Sequence, residues 1–200
     1  DFEELGISQI ITTPHISHYV WNNSPEIIQN KLIETRNSLE EKKINTPIRA
    51  AAEYFMDDWF ENHFKEEKLL TLKDNYVLVE MSYINAPIQL YSILFDLRVA
   101  GYIPVLAHPE RYLYFHNSIR KYEKLKEYGV YFQLNLLALI GYYGKDVQKI
   151  AERLLENDLY DFTGTDIHNE GHIQQFISNP ILLSKKNKIA DLLQKNSIFL

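Results

Sequence analysis

The apolar positions fall into two alternating rhythms. Short runs rich in β-branched residues, Ile7 to Thr13, Ile48 to Tyr54, Tyr76 to Met81, Ile103 to Ala107, Val130 to Leu134 and Tyr160 to Thr163, read as strands. Between them lie stretches with helical spacing. Ser24-Pro25-Glu26 is a helix start, with Ser as N-cap, Pro at the first position and Glu in the first turn. Ile27, Ile28, Leu32, Ile33 and Leu39 then give one apolar face through Lys43. Further helices are expected at Asp57 to Glu67, Pro87 to Ala100, Ile119 to Tyr128, Asp146 to Asn157, Ile173 to Phe176 and Pro180 to Lys195.

Six strands alternating with helices imply an α/β fold with a parallel sheet and right-handed crossovers. The strands read as buried on both faces, which suits an open or incomplete barrel. No Pro-, Gly- or Ser-rich linker divides residues 1–200, so a single domain is expected. Asp1 to Gly6 looks like the last turn of a helix closing on glycine, as if a preceding segment were missing.

Composition narrows the chemistry. The chain is 46% apolar and 24% charged, as soluble globular proteins are. It has no cysteine, which rules out disulfides, thiolate metal sites and a cysteine nucleophile. Any metal must be held by His, Asp and Glu. The net charge is −6, and the only basic runs are short ones such as Lys42-Lys43 and Lys185-Lys186, so no nucleic-acid partner is expected. No apolar segment has the length of a membrane span and no signal peptide opens the chain, so the expected location is the cytoplasm, without membrane insertion.

One strand after another leads to a metal-ligand type. His15 follows the first, Glu53 lies near the end of the second, Glu80 ends the third, His108 follows the fourth, and Asp166 with His168 follow the last. In a parallel barrel these ends open on one face, where the six side chains would converge. Glu53 and Glu80 each close an apolar strand, where an unpaired carboxylate is costly and a cation or an arginine would relieve it. Six nitrogen and oxygen donors suit two or three divalent cations. Arg111, one turn beyond His108, could grip a phosphate in bidentate fashion or pair with Glu110 or another acid. His172, in the loop after His168, could touch the phosphate or be a plain surface residue. His63 reads as a surface residue, and Tyr54, Tyr112, Tyr142 and Tyr143 could form an aromatic rim.

The runs TPH (Thr13 to His15), AAEYF (Ala51 to Phe55), VEMS (Val79 to Ser82), AHPERY (Ala107 to Tyr112), QLNLLALIGYYG (Gln133 to Gly144) and GTDIHN (Gly164 to Asn169) occur in an order that resembles the bacterial PHP-type protein-tyrosine phosphatases. These are the capsular and exopolysaccharide phosphatases of the CpsB/YwqE kind. The resemblance spans nearly the whole chain and implies a distorted TIM-like PHP barrel. It implies two to three metal ions in a complete site, manganese or iron, with magnesium or zinc as alternatives. It makes His15, Glu53, Glu80, His108, Asp166 and His168 metal ligands and Arg111 the phosphate-binding arginine. The implied substrate and partner is a bacterial tyrosine autokinase, through its phosphotyrosine tail; an oligomer is compatible with it.

Two departures stand out. The family's opening strand, with His-x-His and a later Asp-Asp-Gly, has no counterpart here, so the barrel is expected to lack its first strand. The second arginine expected after Asp-x-His is also missing, and His172 lies in that region. Another PHP phosphoesterase, such as a histidinol-phosphate phosphatase, or a catalytically silent metal- or kinase-binding module, remain the alternatives.

Overall fold

The structure is a computed structural model that describes residues 7–179 and 185–200. The expected helix end at Asp1 to Gly6 and the first residues of the Pro180 to Lys195 helix lie outside them. Among the described residues eight strands and eight α-helices follow in the order β1 (Ile10–Thr12), β2 (His15–Ile16), α1 (Pro25–Glu41), β3 (Ile48–Ala50), β4 (Glu53–Phe55), α2 (Asp58–Glu66), β5 (Tyr76–Glu80), α3 (Leu90–Val99), β6 (Ile103–Ala107), α4 (Ile119–Glu127), β7 (Tyr131–Asn135), α5 (Leu136–Leu139), α6 (Lys145–Glu156), β8 (Phe162–Gly164), α7 (Glu170–Ser178) and α8 (Lys186–Lys195).

The larger sheet is wholly parallel, with its six strands in chain order β2-β4-β5-β6-β7-β8. Among the described residues β8 is not paired back to β2, so the sheet follows a barrel's strand order without closing. Two expected strands are each broken in two. Pro14 has no N–H to donate and separates β1 from β2. Ala51 and Ala52 separate β3 from β4; Ala51 N still bonds Thr12 O, whereas Ala52 N turns to Leu70 O. The front halves, β1 and β3, form their own two-stranded parallel pair. The short helix α5 was not foreseen, because Leu136 to Ile140 is continuously apolar and has no helical stripe to read.

Local signals explain the helices that frame the sheet. Ser24 Oγ accepts from Ile27 N at the start of α1, and Asp57 Oδ1 accepts from Phe60 N at the start of α2. The parallel register then sorts side chains between two faces. Ile16, Tyr54 and Val79 are partners across β2, β4 and β5, and all three belong to the large core shared with the helices. The alternate residues Leu78, Val105, Ala107 and Phe162 form a smaller cluster on the other face, with Phe199 against it. His15, Glu53 and Leu78 are successive partners in that same register. Glu80, two residues on from Leu78, therefore shares their face. The polar site is thus an extension of the smaller apolar cluster, displaced toward the strand C-termini. Among the described residues no helix is long and apolar enough to cross a membrane.

Candidate metal centre

His15 and Glu53 open β2 and β4 rather than ending long strands, as the sequence pattern had implied. Because each preceding strand is interrupted, these short segments still lie at the C-terminal side of the sheet. His15 Nδ1 is 2.8 Å from Glu80 Oε1 and 3.7 Å from Glu53 Oε2. His108 Nε2 is 3.1 Å from Glu53 Oε1 and 3.8 Å from Glu80 Oε2. Two histidines thus face two buried carboxylates. One donor atom from each of His15, Glu53 and Glu80 falls within 4.8 Å of the others, a spacing that could hold a metal ion.

The donor set fits a hard or borderline divalent cation, since it offers only imidazole nitrogen and carboxylate oxygen. The hydrogen bonding points the same way. His15 Nδ1 and Glu80 Oε1 are close, yet neither is aligned as a hydrogen bond to any partner. Proximity without alignment is what atoms directed at a common third centre show. Protonation serves instead where no cation is present. Burial opposes charge on His15, but the close approach of Glu80 and the charges of Glu53 and Glu80 outweigh it, so its pKa is raised. His108 is also raised, since Glu53 outweighs burial and the opposing charge of Arg111.

His108 and Asp166 both hold left-handed backbone, with φ of +37° and +50°. For non-glycine residues this is uncommon and costs free energy, and such residues cluster at functional sites. The turn after β6 that His108 begins is a 3-10 turn, Pro109–Arg111, and it separates its two charged residues. Glu110 points into the core, where Oε1 accepts from Asn135 N and Oε2 accepts from Tyr160 Oη, both at 2.9 Å. Burial pushes its pKa up to about 7. Arg111 points the other way, to Asp166 Oδ2 at 3.2 Å. Of the partners considered for Arg111, the structure therefore selects Asp166 and not Glu110.

Asp166 joins the cluster from β8. Its Oδ2 also accepts from Asn135 Nδ2 at 2.8 Å, and its charge acts on His15. His168 stands farther out. It is exposed, stacks at 5.9 Å on His15, and its Nδ1 lies 2.9 Å from Asp166 O. His172 is half-buried on α7, with Nδ1 3.3 Å from both His168 N and Asp166 O. It borders the turn that carries Asp166 and His168.

The aromatic rim differs from expectation. Tyr54 and Tyr112 are fully buried, their hydroxyls accepting from Leu70 N and Met81 N. His63 is half-buried and stacks at 4.1 Å on Trp59, so it is no plain surface residue. Tyr142 does remain at the mouth, and Tyr143 packs on Arg111. Trp21, stacked at 4.4 Å on His15, and Tyr83, beneath Arg111, were missed. Asn135 and Glu110 were missed as well. A polar residue at the end of an apolar strand was the available signal for Asn135; a carboxylate two residues after His108 and next to Arg111 was the one for Glu110.

The family model for capsular polysaccharide synthesis, CpsB/CapC, matches residues 2–196. This chain belongs to that CpsB/CapC family. It is 30% identical over 165 residues to the tyrosine-protein phosphatase YwqE of Bacillus subtilis, covering 82% of this chain and 65% of YwqE. It is 29% identical over 171 residues to the tyrosine-protein phosphatase CpsB of Streptococcus pneumoniae, covering 82% of this chain and 70% of CpsB. The chain thus spans slightly less than two thirds of YwqE. A chain from the crystal structures of YwqE and CpsB, described there as unique metal-dependent tyrosine phosphatases, superposes with a TM-score of 0.84 at 28% identity, covering 100% of this chain and 82% of that one. The α/β architecture with parallel strands is therefore shared with that structure, as the motif order implied.

Proposed function

We propose that this CpsB/CapC-family chain carries the site of a metal-dependent protein-tyrosine phosphatase, a phosphoric monoester hydrolase acting on a bacterial tyrosine autokinase in the cytoplasm. The observation that carries this reading is the junction of two groups: the His15, Glu53 and Glu80 donors within 4.8 Å, and Arg111 tied to the same cluster through Asp166. His15, Glu53, Glu80, His108, Asp166 and His168 would hold two to three divalent cations, manganese or iron first among them. Cations bound there would supply Lewis acidity toward the phosphate and the attacking water.

The chain's own residues do the rest. Arg111 presents a fork of N–H donors that can bind two phosphate oxygens and hold phosphorus against the donor cluster. Asp166 fixes one end of that fork. His172 lies beside the same turn and would face a phosphate only from the outer side. An aromatic substrate suits the mouth, where Trp21, Tyr83 and Tyr142 are each a little over 40% exposed and so leave ring surface to stack on a tyrosyl group.

Turnover of a phosphotyrosine peptide by the manganese-loaded chain, beside histidinol phosphate, tests this directly. Release of phosphate from the peptide is expected. Hydrolysis of the alkyl phosphate alone would overturn the substrate class, and bound metal with neither reaction would leave the silent binding module.

A further inference from the structure

Arg111 has more invested in its placement than one ion pair. Its guanidinium carbon lies 4.4 Å from the ring centre of Tyr83 and 4.2 Å from that of Tyr143. The two rings come from different loops, one after β5 and one after α5. Each is braced. Tyr83 stacks at 5.9 Å on the buried ring of Tyr112, and its hydroxyl is 3.4 Å from His108 Nε2. Tyr143 Oη accepts from Asn135 Nδ2 at 3.1 Å, and the same amide nitrogen donates to Asp166 Oδ2 at 2.8 Å. Asp166 in turn takes Nη1 of Arg111 at 3.2 Å.

We infer that Tyr83 and Tyr143 are positioning residues that clamp the Arg111 guanidinium between them, so that its open edge is presented to a phosphate in a fixed plane. The rings cover the guanidinium, and Asp166 takes Nη1. Among the described residues no other side chain accepts from Arg111, so Nε and Nη2 keep donors for an anion. A guanidinium held only for stability would be expected to have protein acceptors for those groups too. A planar cation between two aromatic rings is attracted to both, and loses less freedom when an anion binds than a free arginine would.

This inference rests on the reading of Arg111 as a phosphate-binding group, and the experiment separates the two. Inorganic phosphate is titrated calorimetrically into the manganese-loaded chain and into Tyr83→Leu, Tyr143→Leu, the corresponding Phe variants and Arg111→Ala. Metal content and melting temperature are recorded for each. The leucine variants should bind phosphate about tenfold more weakly with metal content unchanged. The Phe variants, which keep the ring, should stay within about threefold, and Arg111→Ala should lose binding.

Leucine variants that bind phosphate like the parent overturn the clamp, as do Phe variants that lose as much as the leucines. A parent that binds no phosphate, or Arg111→Ala that binds it equally well, overturns both the clamp and the role of Arg111. Phosphate binding that follows the expected series without hydrolysis of phosphotyrosine supports the clamp and sinks the phosphatase reading alone. In an active chain, KM for a phosphotyrosine peptide should rise in parallel with the phosphate dissociation constant.

Discussion

Nη1 of Arg111 donates to Oδ2 of Asp166 across 3.2 Å, although the two residues are 55 positions apart. The contact ties the turn after β6 to the turn after β8, and both turns contain a residue in left-handed conformation. It also brings the Arg111 guanidinium to the edge of the carboxylate cluster.

Removing Arg111 should separate binding from chemistry. Arg111→Ala is expected to lower phosphotyrosine turnover by about a hundredfold, in the range seen when one donor to a developing charge is lost. Metal content should not change, because His15, Glu53 and Glu80 contact one another without it. Loss of metal on that substitution, read by elemental analysis, would mean that Arg111 organises the donors themselves.

Glu80→Gln should weaken manganese binding at least tenfold, since it replaces a buried carboxylate 2.8 Å from His15 with a neutral amide. In the metal-free chain His15 should then titrate closer to its ordinary value, because Glu80 is the leading cause of its elevation. Histidine NMR titration of the two metal-free proteins checks this. An unchanged His15 pKa would show that Glu53 dominates.

Metal and protons should compete. In the metal-free chain the pKa values of His15 and His108 are raised above 6.5, so their pairing with the carboxylates stabilises the fold fully below 6.5. That contribution is lost as pH rises through the raised values. Metal binding needs neutral imidazoles, so manganese affinity should fall as pH drops through the same range, with protons released on binding. Melting curves with and without chelator at pH 6 and about 8.5 should therefore show the largest metal-dependent stabilisation at the higher pH. Equal stabilisation at both would argue against these histidines as ligands.

Glu110, turned into the core two residues after His108, gives a second pH signature. Its pKa is raised from 4.5 to about 7 by burial, so the folded chain holds this proton more tightly than the unfolded one. Stability from this source is complete below 4.5 and declines as pH rises to about 7, by roughly 3 kcal/mol at most. Glu110→Gln should flatten that slope in urea unfolding between pH 4.5 and about 7.5, since the amide keeps an acceptor for Asn135 N and cannot ionise. A wild-type slope in the variant would assign the dependence elsewhere.

Asn135→Ala should cost about 2 kcal/mol in urea unfolding. The amide group donates to Asp166 and Tyr143 and caps α5 by accepting from Leu137 N. A loss below about 0.5 kcal/mol would mean that water replaces those bonds at little expense.

Much of the architecture is legible along the chain. The strand Ile103–Ala107 falls where the apolar run predicts it, and α1 starts at the Ser24-Pro25 signal. Those boundaries depend on nearest neighbours: a side-chain cap, a fixed proline φ, a change of period. The breaks at Pro14 and at Ala51-Ala52 were less visible, because an apolar residue reads the same whether it continues a strand or steps between sheets. Tyr54 and Tyr112 show the same limit, since an aromatic ring beside a ligand type can line a mouth or fill a core.

The sequence by itself determined the succession of strand and helix regions and the placing of His, Glu and Asp side chains near strand C-termini, for these follow from local period and residue chemistry. Only the tertiary structure decided that His15 meets Glu80, that Glu110 turns inward while Arg111 turns to Asp166, and that Tyr83 and Tyr143 close over the guanidinium. Those choices are set by strand register and by where loops far apart in sequence are brought together. Neither leaves a trace in the spacing of residues along one chain.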